Sequence, residues 1–117
     1  MSNQSPILDV LNRYLPGPIF ASIKAELFGI LRDVAKSIAR GELTLEQFKS
    51  DLKKIADSIA AHRQINGFST NVSQLLKDLE SAIVTESTMY QTWAIRERLA
   101  SLRRRSRRRS SQGPELI

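Results

Sequence analysis

Residues 43–59 read LTLEQFKSDLKKIADSI, and the fold class follows from how this stretch can be arranged. Thr44 stands three residues before Gln47, the spacing of a capping box. There the hydroxyl and the amide side chain each satisfy a backbone N–H left free at a helix start, and Leu43 can staple to Phe48 across the cap. Leu45, Phe48, Leu52, Ile55 and Ile59 then recur in alternating steps of three and four, the seam of a helix that packs along another helix. Gly67 supplies a stop, so a helix is expected over about 45–65.

Working toward the N-terminus, Phe20, Ile23, Leu27, Leu31, Val34 and Ile38 define a helix over 18–40, with Pro18 in its first turn and Gly41 beyond its end. The short connection to the 45–65 helix predicts an antiparallel hairpin. Ahead of Pro16-Gly17-Pro18, the residues Ile7, Leu8, Leu11, Tyr14 and Leu15 predict a short helix over 7–15, and residues 1–6 read as disordered. Toward the C-terminus, Ser69, Thr70 and Asn71 are all competent caps for a helix whose face is Val72, Leu75, Leu76, Leu79 and Ile83. It is expected to span 70–102, with a break at Thr85-Glu86-Ser87-Thr88 left open. Met89, Trp93, Ile95, Leu99 and Leu102 read as a continuation of its apolar face.

The chain is therefore expected to be all-α: an antiparallel helical hairpin within a small bundle, residues 7–102, followed by a basic tail over 103–117. A chain of 117 residues with 41% hydrophobic residues supports one modest core. Two long amphipathic helices cover each other incompletely in one hairpin, so a homodimer or higher homo-oligomer is expected, with Leu45, Phe48, Leu52, Ile55 and Ile59 as the self-association seam.

Charge is distributed unevenly. Residues 1–95 carry ten Lys/Arg against ten Asp/Glu, whereas residues 96–117 carry eight Arg against Glu97 and Glu115, so the net charge of +6 lies in the last stretch. Such end-localised charge marks a polyanion-binding arm. Arg103, Arg104, Arg105, Arg107, Arg108 and Arg109 are permanently charged forks that bind phosphate oxygens and release condensed counterions. With no apolar partner among them, the tail is expected to be disordered or only nascently helical. The same composition serves nuclear import. Ser106 and Ser110 each follow three arginines and are phosphorylation candidates.

A second basic stripe, Arg32, Lys36 and Arg40, repeats every four residues on the 18–40 helix, and Lys49, Lys53 and Lys54 lie on the next. If both faced one side they would straddle a duplex, although with interleaved acids a solvated face is the commoner arrangement. Tyr90 and Trp93 are read as core rather than as stacking platforms, and His62, the single histidine, as a surface residue.

Catalysis is not expected. The chain has no Cys, no His pair and no phosphate-binding glycine loop, so no cofactor, metal or small-molecule substrate is implied. Absent cysteine and a polar Met1–Pro6 suggest a cytoplasmic protein, nuclear if the arginine tail directs import, and a membrane partner is not expected. In composition the chain is similar to small viral accessory and nucleocapsid-type proteins. The expected function is sequence-nonspecific nucleic-acid binding, RNA ahead of DNA, either sequestering duplex RNA or packaging a genome. The alternative is a helical protein-interaction adaptor with a basic localisation tail.

Overall fold

The computed structural model describes the backbone of residues 4–112 and side chains as far as Arg104. Every regular element among the described residues is helical: α1 (Pro6–Tyr14), a single 3-10 turn (Pro18–Phe20), α2 (Ala21–Ala39), α3 (Leu45–Ile65) and α4 (Val72–Gln112).

Local chemistry sets these boundaries. The capping box of α3 forms as the spacing predicts, with Gln47 N donating to Thr44 Oγ1 at 3.1 Å and Thr44 N to Gln47 Oε1 at 3.0 Å. Of the three candidate caps for α4, Asn71 is used, its Oδ1 accepting from Gln74 N at 3.1 Å. Helices α2 and α3 end alike. Gly41 and Gly67 adopt φ of 77° and 87°, and the N–H groups of Glu42 and Phe68 return to Ser37 O and Arg63 O at 2.9 Å. This Schellman closure satisfies the last carbonyls and needs a left-handed residue that glycine adopts without strain.

Two expectations at the N-terminal side are corrected. The helix expected over 18–40 opens as a 3-10 turn before α2 proper begins at Ala21. The expected disorder of residues 1–6 stops short of Ser5, which caps α1 by accepting from Leu8 N at 3.1 Å, with Pro6 as the first helical residue. Met1–Asn3 lie outside the described residues.

One core holds the elements together. Ile7, Val10, Leu11, Leu15 and Phe20 meet Leu27, Leu31 and Ala35 of α2, Phe48, Leu52, Ala56 and Ile59 of α3, and Leu75, Leu79, Ala82 and Ile83 of α4. Each large side chain buried here contributes roughly 1.5 to 3 kcal/mol. α4 is the hub, since α1, α2 and α3 all approach it closely. The apolar seam of α3 is therefore filled within one chain: Phe48, Leu52 and Ile59 are buried, while Leu45 and Ile55 are partly buried against the same cluster.

α4 runs unbroken through residues 85–88 to Gln112. Ser87 and Thr88 do not recap a new helix there; both hydroxyls donate back to Val84 O, at 2.9 and 3.0 Å. Residues 103–112 continue the helix, so of the two expectations for this segment, disordered or nascently helical, the backbone follows the helical one. Arginine is among the better helix formers, and extending an existing helix avoids the nucleation step. Residues 113–117 lie outside the described residues.

Beyond Tyr90 the helix leaves the bundle, and residues 91–99 are all exposed. The molecule is consequently elongated, 76 × 30 × 19 Å with a Cα radius of gyration of 20.1 Å. A compact chain of this length would have a radius of gyration of about 13 Å.

Candidate nucleic-acid interface

The chemistry of the site starts where α4 leaves the bundle. Glu86 is 2% exposed, and among the described residues its carboxylate makes no salt bridge. One oxygen accepts from the Ser5 hydroxyl and from Ile7 N at 3.1 Å, and the other accepts from the Tyr90 hydroxyl at 2.6 Å. Those donors, together with the positive end of the α1 dipole, replace the water lost on burial. Glu86 thereby pins the start of α1 to the last buried turn of α4. Sequence reasoning placed this residue in a weak stretch and missed its role, because no local pattern marks a carboxylate whose donors lie 79 and 81 residues away.

Tyr90 is the next layer. Burial, and then its hydrogen bond to the Glu86 carboxylate, push the phenol well above its ordinary value, so it remains a proton donor. Its ring packs edge-on against Trp93 at 5.4 Å between centroids, and Lys36 Nζ lies 5.7 Å from its centre. Trp93, expected in the core, is 43% exposed. The structure thus joins Lys36 of the α2 stripe to the Tyr90–Trp93 pair at the base of the projecting helix.

The other basic residues of α2 and α3 are placed differently. The guanidinium of Arg32 sits 5.4 Å from the Phe28 ring centre, with its own exposed side on solvent. Arg40 pairs with Glu42 at 3.1 Å, Lys49 with Glu46 at 3.4 Å and Lys53 with Asp57 at 3.6 Å. Lys49, Lys53 and Lys54 border an open groove of about 520 Å³ between α3 and α4, beside Asp57 and Glu80. These lysines sit in a mixed-charge surface of the solvated kind. His62 is exposed, its Nδ1 2.8 Å from Ser58 O.

Arg96, Arg98, Arg103 and Arg104 are exposed along the projecting part of α4. For Arg105, Arg107, Arg108 and Arg109, and for Ser106 and Ser110, the helical backbone is described, and their side chains lie outside the described residues.

A separate polar cluster braces the opposite end of the bundle. Arg63 donates to Thr70 Oγ1, to Tyr14 O at 2.7 Å and to Ser69 O at 2.9 Å, and lies over the rings of Tyr14 and Phe68. The Tyr14 hydroxyl donates to Asp78 at 2.7 Å. Burial and that carboxylate raise the Tyr14 phenol, and the same hydrogen bond lowers Asp78 below the usual carboxylate value. This cluster is structural: it ties the ends of α1 and α3 to the start of α4. Among the described residues no group of acidic, His or Cys side chains is arranged to hold a metal ion.

No family model matches the chain, and neither a curated protein nor a solved structure matches it. The class that the fold itself defines is an all-α protein built around one long helix.

Proposed function

We propose that this chain is a sequence-nonspecific nucleic-acid-binding protein that grips phosphate backbones with the projecting end of α4. The observation that carries this reading is that the whole excess of positive charge lies beyond residue 95, on a helix that stands clear of a neutral bundle. A run of arginines along this helix neutralises several phosphates at once, and the released counterions supply the affinity without regard to base sequence. Lys36, which lies by the Tyr90 ring, and the exposed Arg32 extend the basic surface to the base of this helix, where Trp93, edge-on to Tyr90, offers a ring on which an unpaired base can stack. RNA is the expected ligand ahead of DNA. A single chain suffices for this mode of binding, because Phe48, Leu52 and Ile59 already pack inside their own bundle.

A salt titration with duplex RNA, duplex DNA and single strands tests the reading, comparing the full chain with a 1–102 truncation. Deleting six arginines should flatten the slope of log affinity against log salt by about five on a duplex. Equal affinity and slope for the two chains would refute the assignment to α4. An Arg32→Ala/Lys36→Ala variant should weaken binding at low salt by a smaller factor.

A further inference from the structure

α4 carries a second apolar face that its own bundle does not use. With a helix turning about 100° per residue, the buried Leu75, Leu79, Ala82, Ile83 and Glu86 lie on one side, whereas Val84, Ile95, Leu99 and Leu102 share an arc of about 60° on the opposite side. These four are 48%, 54%, 51% and 52% exposed. By the same rotation the stripe is bordered by Arg98 along one edge and by Arg96 and Arg103 along the other, all exposed, while Glu97 falls on the far side.

Three candidates for covering this stripe can be weighed. A partner helix, including a second copy of α4, needs an unbroken seam in steps of three and four. Here Ile95, Leu99 and Leu102 do follow one another in steps of four and three, but Thr88 and Thr92 hold the preceding positions of that seam, so its apolar part lasts a single heptad where a sustained helix pair needs about three or four. A second copy would also bring Arg96, Arg98 and Arg103 against their own like charges. A nucleic acid satisfies the arginines and leaves Ile95, Leu99 and Leu102 with nothing apolar to meet. An anionic lipid leaflet meets both demands, because its acyl boundary takes the apolar strip without any register and its headgroups face the guanidinium rows on either side.

We infer that the projecting half of α4 lies on anionic lipid surfaces, with Ile95, Leu99 and Leu102 inserted at the acyl boundary and Arg96, Arg98 and Arg103 on the headgroups. The bundle sits on the other side of the helix and leaves the approach open. This is surface binding: among the described residues no helix is long and apolar enough to cross a membrane. The inference stands on the stripe and its borders, independently of the nucleic-acid reading.

Vesicle flotation of the full chain tests it, using phosphatidylcholine alone and phosphatidylcholine mixed with phosphatidylserine. The chain should float with the mixed vesicles and not with the neutral ones. Ile95→Asn/Leu99→Gln changes only exposed positions outside the bundle and should weaken that binding roughly ten- to a hundredfold, while duplex RNA affinity stays unchanged. Equal binding to both vesicle types, or to neither, overturns the proposal. So does a double variant that binds mixed vesicles as well as the parent, which would assign the attraction to charge alone. Sedimentation in the absence of lipid completes the test: a dimer that the double variant abolishes would assign the stripe to a second copy instead.

Discussion

Residue by residue, the bundle depends on a few polar groups set among apolar ones. Glu86 is the clearest, because its carboxylate satisfies three donors on two elements. Glu86→Ala would strand Ile7 N–H and the Tyr90 hydroxyl in a dry site, and should lower stability by about 2 to 4 kcal/mol in denaturant titrations. A loss under about 0.5 kcal/mol, the scale of an ordinary surface change, would show that this node does not hold α1. The chain's two tyrosines, Tyr14 and Tyr90, both donate to carboxylates and both are held above the ordinary phenol value of 10.0. The fold therefore favours the neutral phenols. Their contribution is fully present below pH 10 and is lost as pH rises through the raised folded values. In an ultraviolet titration of the native chain, tyrosinate should appear only above pH 10 and together with unfolding, whereas the denatured chain titrates near pH 10. Asp78 has the opposite sign: its folded value is depressed, so its contribution is present above the ordinary carboxylate range and is lost as pH falls below it.

Among the elements, α4 decides the architecture and is the one whose sequence reads least like what it does. Its first half is buried on one side and its second half is apolar on the other, so no single amphipathic direction describes it. Met89, Trp93, Ile95, Leu99 and Leu102 looked like one continued face; in the structure Trp93 stays beside Tyr90 while the other three aliphatic positions of that outer stretch turn away from the bundle. Residues 91–99 of the helix are all exposed, and an isolated helix of about 20 residues is only marginally stable. Ala94→Pro, which removes an N–H and crowds the Tyr90 carbonyl, should melt the projecting segment and reduce helical ellipticity. The bundle's thermal transition should shift little, since residues 91–99 are all exposed and Trp93 reaches only Tyr90 at the bundle's edge. A collapse of that transition would mean that the outer helix supports the bundle.

For the molecule as a whole, the reading of the sequence was strongest where the cause is local and weakest where it is distant. The all-helical class, the capping box at Thr44, the stops at Gly41 and Gly67 and the end-loaded charge could all be read directly, because each depends on residues within one or two turns of one another. The stripe Arg32, Lys36 and Arg40 was legible as a spacing, but its division was not: Lys36 rests on Tyr90 and Arg40 pairs with Glu42, contacts that local spacing does not encode. The seam of α3 was visible as apolar periodicity, and only packing showed that a single chain fills it around α4. Sequence alone gives no reason to expect a membrane surface, since the stripe at Ile95, Leu99 and Leu102 becomes a free face only once burial shows which side of α4 the bundle occupies. The sequence alone thus determined the all-helical class, the stops at Gly41 and Gly67 and which end carries the charge, through short-range capping, propensity and patterning. Tertiary structure alone decided which faces meet, why Glu86 is buried and which apolar residues remain outside, because those outcomes depend on contacts between residues far apart in the chain competing for one core.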